Sequence, residues 1–255
     1  MTLELRSARS LSLGERAELF TAAYEGDVLP FHIDEEQLAF MDTVFDFDLD
    51  SSRVAFRDGE AVGLGNLNRR GEDAWIGGVG VVTSARRSGV GEALMRAVHE
   101  QAREHGVRRA WLEVIVENTS AVALYEKLGY DLVQDVEVWT LPAAAGDHAG
   151  REVPVADAKA RLPERHEPWQ RADGTLTHYK DLRGLVTDTG AMLFCVRLSA
   201  QLQQYAGDPE PLLRALRTFK DVYVLNLPVD DPAAQVLREL DGSVVVRQHE
   251  MLLEL

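Results

Sequence analysis

Residues Val79 to Gly91 read VGVVTSARRSGVG, and a helix-forming run, EALMRAVHEQAREH, continues from there to Gly106. A short apolar run gives way to a turn with two arginines, and glycines alternate where the helix begins. A strand that ends on a helix N-terminus is suited to holding an anion. The first backbone N–H groups of the helix lack intrahelical acceptors and point outward, and the helix dipole adds partial positive charge there. Gly89 and Gly91 allow phosphates to approach the backbone closely, and Arg86 and Arg87 supply full charges.

Outward from this stretch, punctuation and periodicity set the neighbouring elements. Downstream, Arg109 to Val116 is an apolar strand, Asn118 caps a helix that closes at Gly129, and two strands fit between Asp131 and Leu141. Upstream lies a strand from Trp75 to Val82, rich in glycine at Gly77, Gly78 and Gly80, which suggests a bulge or a close backbone approach. Before it, Arg53–Arg57 and Glu60–Leu67 flank Asp58-Gly59 as a hairpin. Ser12 with Glu15 opens a helix to about Tyr24, which Gly26 and Pro30 break. Phe31-His32-Ile33 then leads to Asp34 with Gln37, which opens a second helix through Met41. Leu3 and Leu5 mark an edge strand. Phe45 to Ser52, FDFDLDSS, reads as a strand or a loop; Asp46, Asp48 and Asp50 are either a solvated face or a carboxylate rim for a cationic substrate. The order is strand, two helices, three strands, helix, strand, helix, strand.

This order and two motifs resemble the GNAT superfamily of N-acetyltransferases. One motif is Arg86-Arg87-Ser88-Gly89-Val90-Gly91, similar to the family's Arg/Gln-x-x-Gly-x-Gly/Ala loop. The other is ENTSAVALYEKLGY, Glu117 to Tyr130, and the two stand in the family's order. No Lys-Ser/Thr follows the glycines, so the loop is not a P-loop, and the hairpin before it does not suit a dinucleotide fold. The pattern departs at Arg87, where the family usually has glycine, and at Thr83, often proline. The resemblance implies an α/β (α+β) fold, a mixed and mostly antiparallel sheet flanked by helices. It also implies acetyl-coenzyme A as cosubstrate. Val81, Val82, Thr83, the loop from Arg86 to Gly91, Asn118 and Tyr125 would hold it, with the pantetheine arm added along a splayed strand at Val81–Val82.

The resemblance further implies a role for Tyr125 as general acid to the departing thiolate. The helix spacing places Asn118, Ala121 and Tyr125 on one face, with Leu124 and Leu128 toward the core. A phenol is neutral at pH 7 and can give up a proton. Backbone N–H groups near Val81 would meet the oxyanion. The glycine-rich strand carries no carboxylate, so the base that deprotonates the amine is sought among Glu113, His32, Asp46 and Glu117, or in a water chain.

Residues 151–255 read as a repeat. A constant offset places Asn118 on Asp231, Leu124 on Leu237, Tyr125 on Arg238, Glu126 on Glu239 and Gly129 on Gly242. GAMLFCVRL aligns with the glycine-rich strand and PEPLLRALRTF with the long helix, while SAQLQQYAGDP stands where the anion loop would be. The expected organisation is a catalytic domain over 1–141 and a degenerate GNAT-like half over 151–255, joined by LPAAAGDHAG. The second half would not bind coenzyme. It would be structural or would wall the acceptor pocket through His166, Trp169, Tyr179 or His249.

The whole chain sets limits. It has 255 residues, 45% hydrophobic and 27% charged, as in ordinary globular proteins. Its formal net charge of −15 disfavours nucleic acid and anionic membranes as partners. The lone Cys195 sits in an apolar run as an inert thiol. No signal pattern or membrane-length apolar run is visible, so a cytoplasmic protein is expected. His99, His105, His148 and His178 lack metal-ligand spacing, and no metal is expected. The reading is an N-acetyltransferase acting on a small-molecule, peptide or protein amine, its cationic character hinted at by the acids. The alternative is a non-catalytic acyl-coenzyme A-binding regulatory module.

Overall fold

The computed structural model describes residues 3–29, 32–146 and 150–255; Pro30, Phe31 and His148 lie outside them. The chain divides into two compact units, Met1–Val133 with His249–Leu255, and Gln134–Gln248.

The first unit comprises β1 (Leu3–Ser7), α1 (Leu13–Ala23), α2 (Glu35–Val44), β2 (Arg53–Arg57), β3 (Glu60–Arg70), β4 (Asp73–Val81), α3 (Val90–Glu104), β5 (Arg109–Ile115) and α4 (Thr119–Lys127), and β6 (Asp131–Leu141) begins in it. Strands β1 to β5 lie in sequence order, with the end of the chain's last strand beside β5. The capping boxes form at Ser12/Glu15 and Asp34/Gln37. The β2–β3 turn places Asp58 at φ +52° and Gly59 at φ +90°, as a two-residue hairpin turn of type I′ requires. Two expectations change: α2 continues to Val44, and Asp131–Leu141 is one strand, not two.

The α3 stripe of Leu94, Val98 and Ala102 is fully buried, each 0% exposed. Met251 and Leu253, from the end of the chain, join the same core as Val98, Leu112 and Tyr130. His99 is buried there too, its Nε2 2.9 Å from the Tyr130 hydroxyl. Burial first, then the charges of Arg103 and Arg96, pushes the imidazole down to about 4. The unfolded chain therefore binds a proton that the folded unit refuses, and stability is lost as pH falls from about 6.5 toward 4, by at most ~3 kcal/mol. His99→Gln should flatten this loss in denaturant titrations at pH 7 and pH 5; an unchanged pH dependence would remove His99 as its source.

In the second unit β6 continues, followed by β7 (Arg151–Val153), α5 (Val155–Lys159), α6 (Asp173–Leu176), β8 (Arg183–Val186), β9 (Gly190–Val196), β10 (Ala200–Gly207), α7 (Pro209–Leu216), β11 (Val222–Pro228), α8 (Pro232–Glu239) and β12 (Ser243–Glu254). Its strand order is β6-β11-β10-β9-β8-β7. The plan of the first unit recurs. Strand β10 runs parallel to β11 over Ala200–Leu202 and carries an extra residue against β9 between Leu202 and Gln204. In the first unit β4 runs parallel to β5 over Asp73–Trp75, and the β3–β4 register shifts between Gly65 and Leu67.

The two compact units divide at Val133/Gln134, inside β6, and the first unit takes back the chain from His249. Two readings of the second half change. GAMLFCVRL contains β9, the counterpart of β3, because the strand parallel to β11 is β10. SAQLQQYAGDP is therefore mostly β10 itself. The left-handed residue ending α8 is Asp241 at φ +66°, whereas Gly129 ends α4 at φ +94°, so the constant offset slips by one there.

Candidate functional site

The loop after β4 folds as its sequence demands. Gly89 is the α3 N-cap at φ +85° and offers no side-chain cap. Among the described residues, the backbone N–H groups of Arg87 through Glu92 donate to nothing; the first bond of the helix runs from Ala93 N–H to Gly89 O. These open donors, clustered at one helix N-terminus, fit the phosphate groups of a coenzyme. Val90 contributes only its backbone, since its side chain is buried in the core. Ser88 Oγ donates to Ala85 O at 2.6 Å and accepts from Arg57 Nη2 at 2.8 Å. Arg57, at the end of β2, brings a cation to the loop that no motif marks.

The two motif arginines do different things. Arg87 is exposed and left-handed, φ +60°, a conformation that costs a non-glycine residue about 1–2 kcal/mol and explains why glycine is usual there. Arg86 is committed to backbone: Nε donates to Val81 O at 2.9 Å, and Nη2 donates to Ala23 O at 3.0 Å and Glu25 O at 2.8 Å. It ties the end of α1 to the end of β4, which is a different task from the expected charge on pyrophosphate. Val82 N–H bonds Val62 O, and Thr83 is exposed in a short 3₁₀ turn.

Beyond Trp75, β4 and β5 no longer pair. The glycines of β4 serve close packing. Gly78 holds φ +131°, and a Cβ on it would stand 2.9 Å from the Tyr24 hydroxyl; a Cβ on Gly80 would stand 2.7 Å from Ala23 Cβ. The last turn of α1 thus fills the room the glycines leave. From α4, Asn118 caps the helix through Ala121 N–H and reaches back to Asp27, its Nδ2 3.4 Å from Asp27 Oδ1. Tyr125 is the buried residue of α4, while Leu124 and Leu128 are only partly buried. Its ring lies 5.8 Å from that of Tyr130, and its hydroxyl makes no hydrogen bond to the described residues. Burial first, then the charge of Asp27, pushes the phenol up to about 12.

The expected bases fare differently. Glu113 accepts from Trp75 Nε1 at 2.7 Å, and Asp46 pairs with Arg70 at 2.7 Å. Asp48 pairs with Arg69 and Asp50 with Arg9, so the acids of FDFDLDSS are ion-paired, not an open rim. Glu117 is exposed. His32 lines a cavity of about 720 Å³ with Tyr24, Glu18, Glu25, Asp34 and Glu35. Sequence reasoning missed Asp27, which sits in no motif; Gly26 before it, ending α1, was the available signal.

Residues 17–130 match the acetyltransferase (GNAT) family. These residues form a GNAT acetyltransferase domain. A 60-residue stretch is 35% identical to the [ribosomal protein bS18]-alanine N-acetyltransferase of Escherichia coli K12, covering 24% of this chain and 40% of that protein. The match thus spans well under half the length of that relative. Across 99% of the chain, the structure resembles a GCN5-related N-acetyltransferase from Sphaerobacter thermophilus, at TM-score 0.71, 19% identity and 95% coverage of that chain. It also resembles a tandem GNAT protein from the clavulanic acid biosynthesis pathway, at TM-score 0.66, 17% identity, 99% of this chain and 98% of that one. At these identities the two structures speak for the fold, and the fold is that of two GNAT-like halves.

The second GNAT-like half carries other groups at the matching places. Only Asp208 stands between β10 and α7, and it caps that helix with Pro209 at its first turn. The carboxylate already occupies the helix N-terminus. Arg238, where the GNAT domain has Tyr125, is ion-paired to buried Glu137. Trp169 and Tyr179 are buried, and His166 is exposed. Cys195 is fully buried, and burial pushes its thiol up to about 12, so it is inert as expected.

Proposed function

We propose that the GNAT domain transfers an acetyl group from acetyl-coenzyme A to a primary amine by direct attack within a ternary complex. The observation that carries this reading is the set of open N–H donors from Arg87 to Glu92, standing beside the gap in pairing between β4 and β5. Those donors, with Arg57, Arg87 and Ser88, would hold the coenzyme phosphates. The coenzyme supplies the thioester. The chain supplies position, through the edge of β4 that β5 leaves uncovered beyond Trp75, and a proton, through Tyr125. Arg86 acts indirectly, by fixing where α1 meets β4.

The acidic cavity lined by Glu18, Glu25, Asp34 and Glu35 suits a cationic acceptor, small molecule or peptide. The buried thiol suits a cytoplasmic setting, and no helix among the described residues is long and apolar enough to cross a membrane. The second half, with an acid at its helix N-terminus and Arg238 engaged, serves as structure and leaves one coenzyme site per chain. Tyr125 retained at the opening argues for an enzyme over a binding module. The test is thiol release from acetyl-coenzyme A across a panel of primary amines, peptide N-termini included. Amine-dependent release is the expected result. Coenzyme binding without release on any amine would overturn the proposal.

A further inference from the structure

Asp27 is a carboxylate that reaches Asn118, at the start of the helix after β5, and whose charge also acts on Tyr24, beside Gly78 of β4. It follows α1 and is half-buried. Its Oδ1 accepts from Val28 N–H at 3.0 Å and Asn118 Nδ2 at 3.4 Å, whereas its Oδ2 accepts no hydrogen bond from the described residues. Burial first, and then nearby charge that includes Asp27, holds the proton more tightly on two phenols, part-buried Tyr24 at the end of α1 and buried Tyr125 of α4. The Tyr24 hydroxyl marks the bulge at Gly78, the strand edge where a thioester would lie. Glu113 and Asp46 are engaged elsewhere, with Trp75 and Arg70.

We infer that Asp27 receives the ammonium group of the acceptor on its open carboxylate oxygen and takes its proton. This makes Asp27 a catalytic residue of the reaction proposed above, and the inference rests on that reading. The ammonium gives one proton to Asp27, and the neutral amine attacks the thioester carbonyl carbon. The C–N bond forms and the C–S bond breaks. The departing sulfur takes the Tyr125 proton, the second nitrogen proton returns to Tyr125, and Asp27 releases its own to water. The sum is amide, thiol and one proton. The order has a physical logic: once Asp27 is protonated, the negative charge that held the Tyr125 proton is gone, just as the leaving sulfur needs it.

The experiment compares the best alkylamine of the panel with methoxyamine, a nucleophile that is neutral at pH 7, at saturating acetyl-coenzyme A. Asp27→Asn should lower kcat/KM for the alkylamine by ~10²–10⁴-fold, the range for lost proton transfer, and for methoxyamine by less than ~10-fold. Calorimetry should give the coenzyme affinity of the parent protein. Asp27→Glu, which keeps the charge, should retain more alkylamine activity than Asp27→Asn. Equal losses on both nucleophiles, or no loss on the alkylamine, would overturn the assignment. If the parent protein acetylates no amine, the proposed reaction fails first and this role fails with it.

Discussion

Tyr125→Phe should lower turnover by ~10²–10⁴-fold and leave both coenzyme affinity and stability close to those of the parent. The reasoning begins with what the substitution removes. The Tyr125 ring packs against Tyr130 in the core of the GNAT domain, and phenylalanine keeps that packing. The hydroxyl bonds no described residue, so its loss breaks no hydrogen bond among them and costs little stability. What disappears is a proton. With the phenol held at about 12 and an ordinary thiol near 8.5, transfer from resting Tyr125 to a thiolate would run uphill by roughly 5 kcal/mol. In the proposed reaction, transfer would therefore be timed to C–S cleavage and to neutralisation of Asp27. Without the hydroxyl, the thiolate must leave unprotonated or find water. Turnover by thiol release, affinity by calorimetry and the urea midpoint separate these quantities. Turnover equal to the parent's would end the assignment of Tyr125 as acid.

The local parts of this site are legible in the chain, and the long-range parts are not. Ser12/Glu15, Asp34/Gln37, Asn118 and Gly89 announce their turns because each acts on backbone within a few residues. The glycines of β4 signal close approach, but sequence alone does not say what approaches; the structure shows Ala23 and Tyr24 of α1. Arg86 was readable as a cation of the loop, yet its acceptors are the carbonyls of Ala23 and Glu25, some sixty positions earlier. Asp46, Asp48 and Asp50 looked like an open acidic face because Arg70, Arg69 and Arg9 that pair with them are distant in sequence. The return of the chain end to the first unit is of the same kind: Met251 and Leu253 alternate as any strand would, and nothing local says which sheet they complete.

Arg238→Ala combined with Arg247→Ala should destabilise the second unit by ~3–5 kcal/mol while coenzyme binding stays at one per chain. Glu137 is 1% exposed, and its carboxylate is held by Arg238 Nη2 at 3.3 Å, Arg247 Nη2 at 2.6 Å and Trp139 Nε1 at 3.1 Å. Both arginines are half in solvent, so each can be removed with little cost to itself; the cost falls on the carboxylate left behind. Either single change leaves one cation and should cost less than half the double change, because the remaining arginine still neutralises Glu137. Adding Glu137→Gln to the double variant should recover most of the loss, since a neutral amide can keep the Trp139 bond without a charge to bury. The urea midpoint at constant slope reads these effects. An unshifted midpoint in the double variant would mean that Glu137 does not depend on its arginines. The stoichiometry carries the functional half of the argument. Arg238 occupies the place where the GNAT domain has Tyr125, and its ion pair with Glu137 is a structural task, in keeping with the proposal of one coenzyme site per chain. Two coenzymes bound per chain, before or after the change, would return a site to the second half and contradict that account.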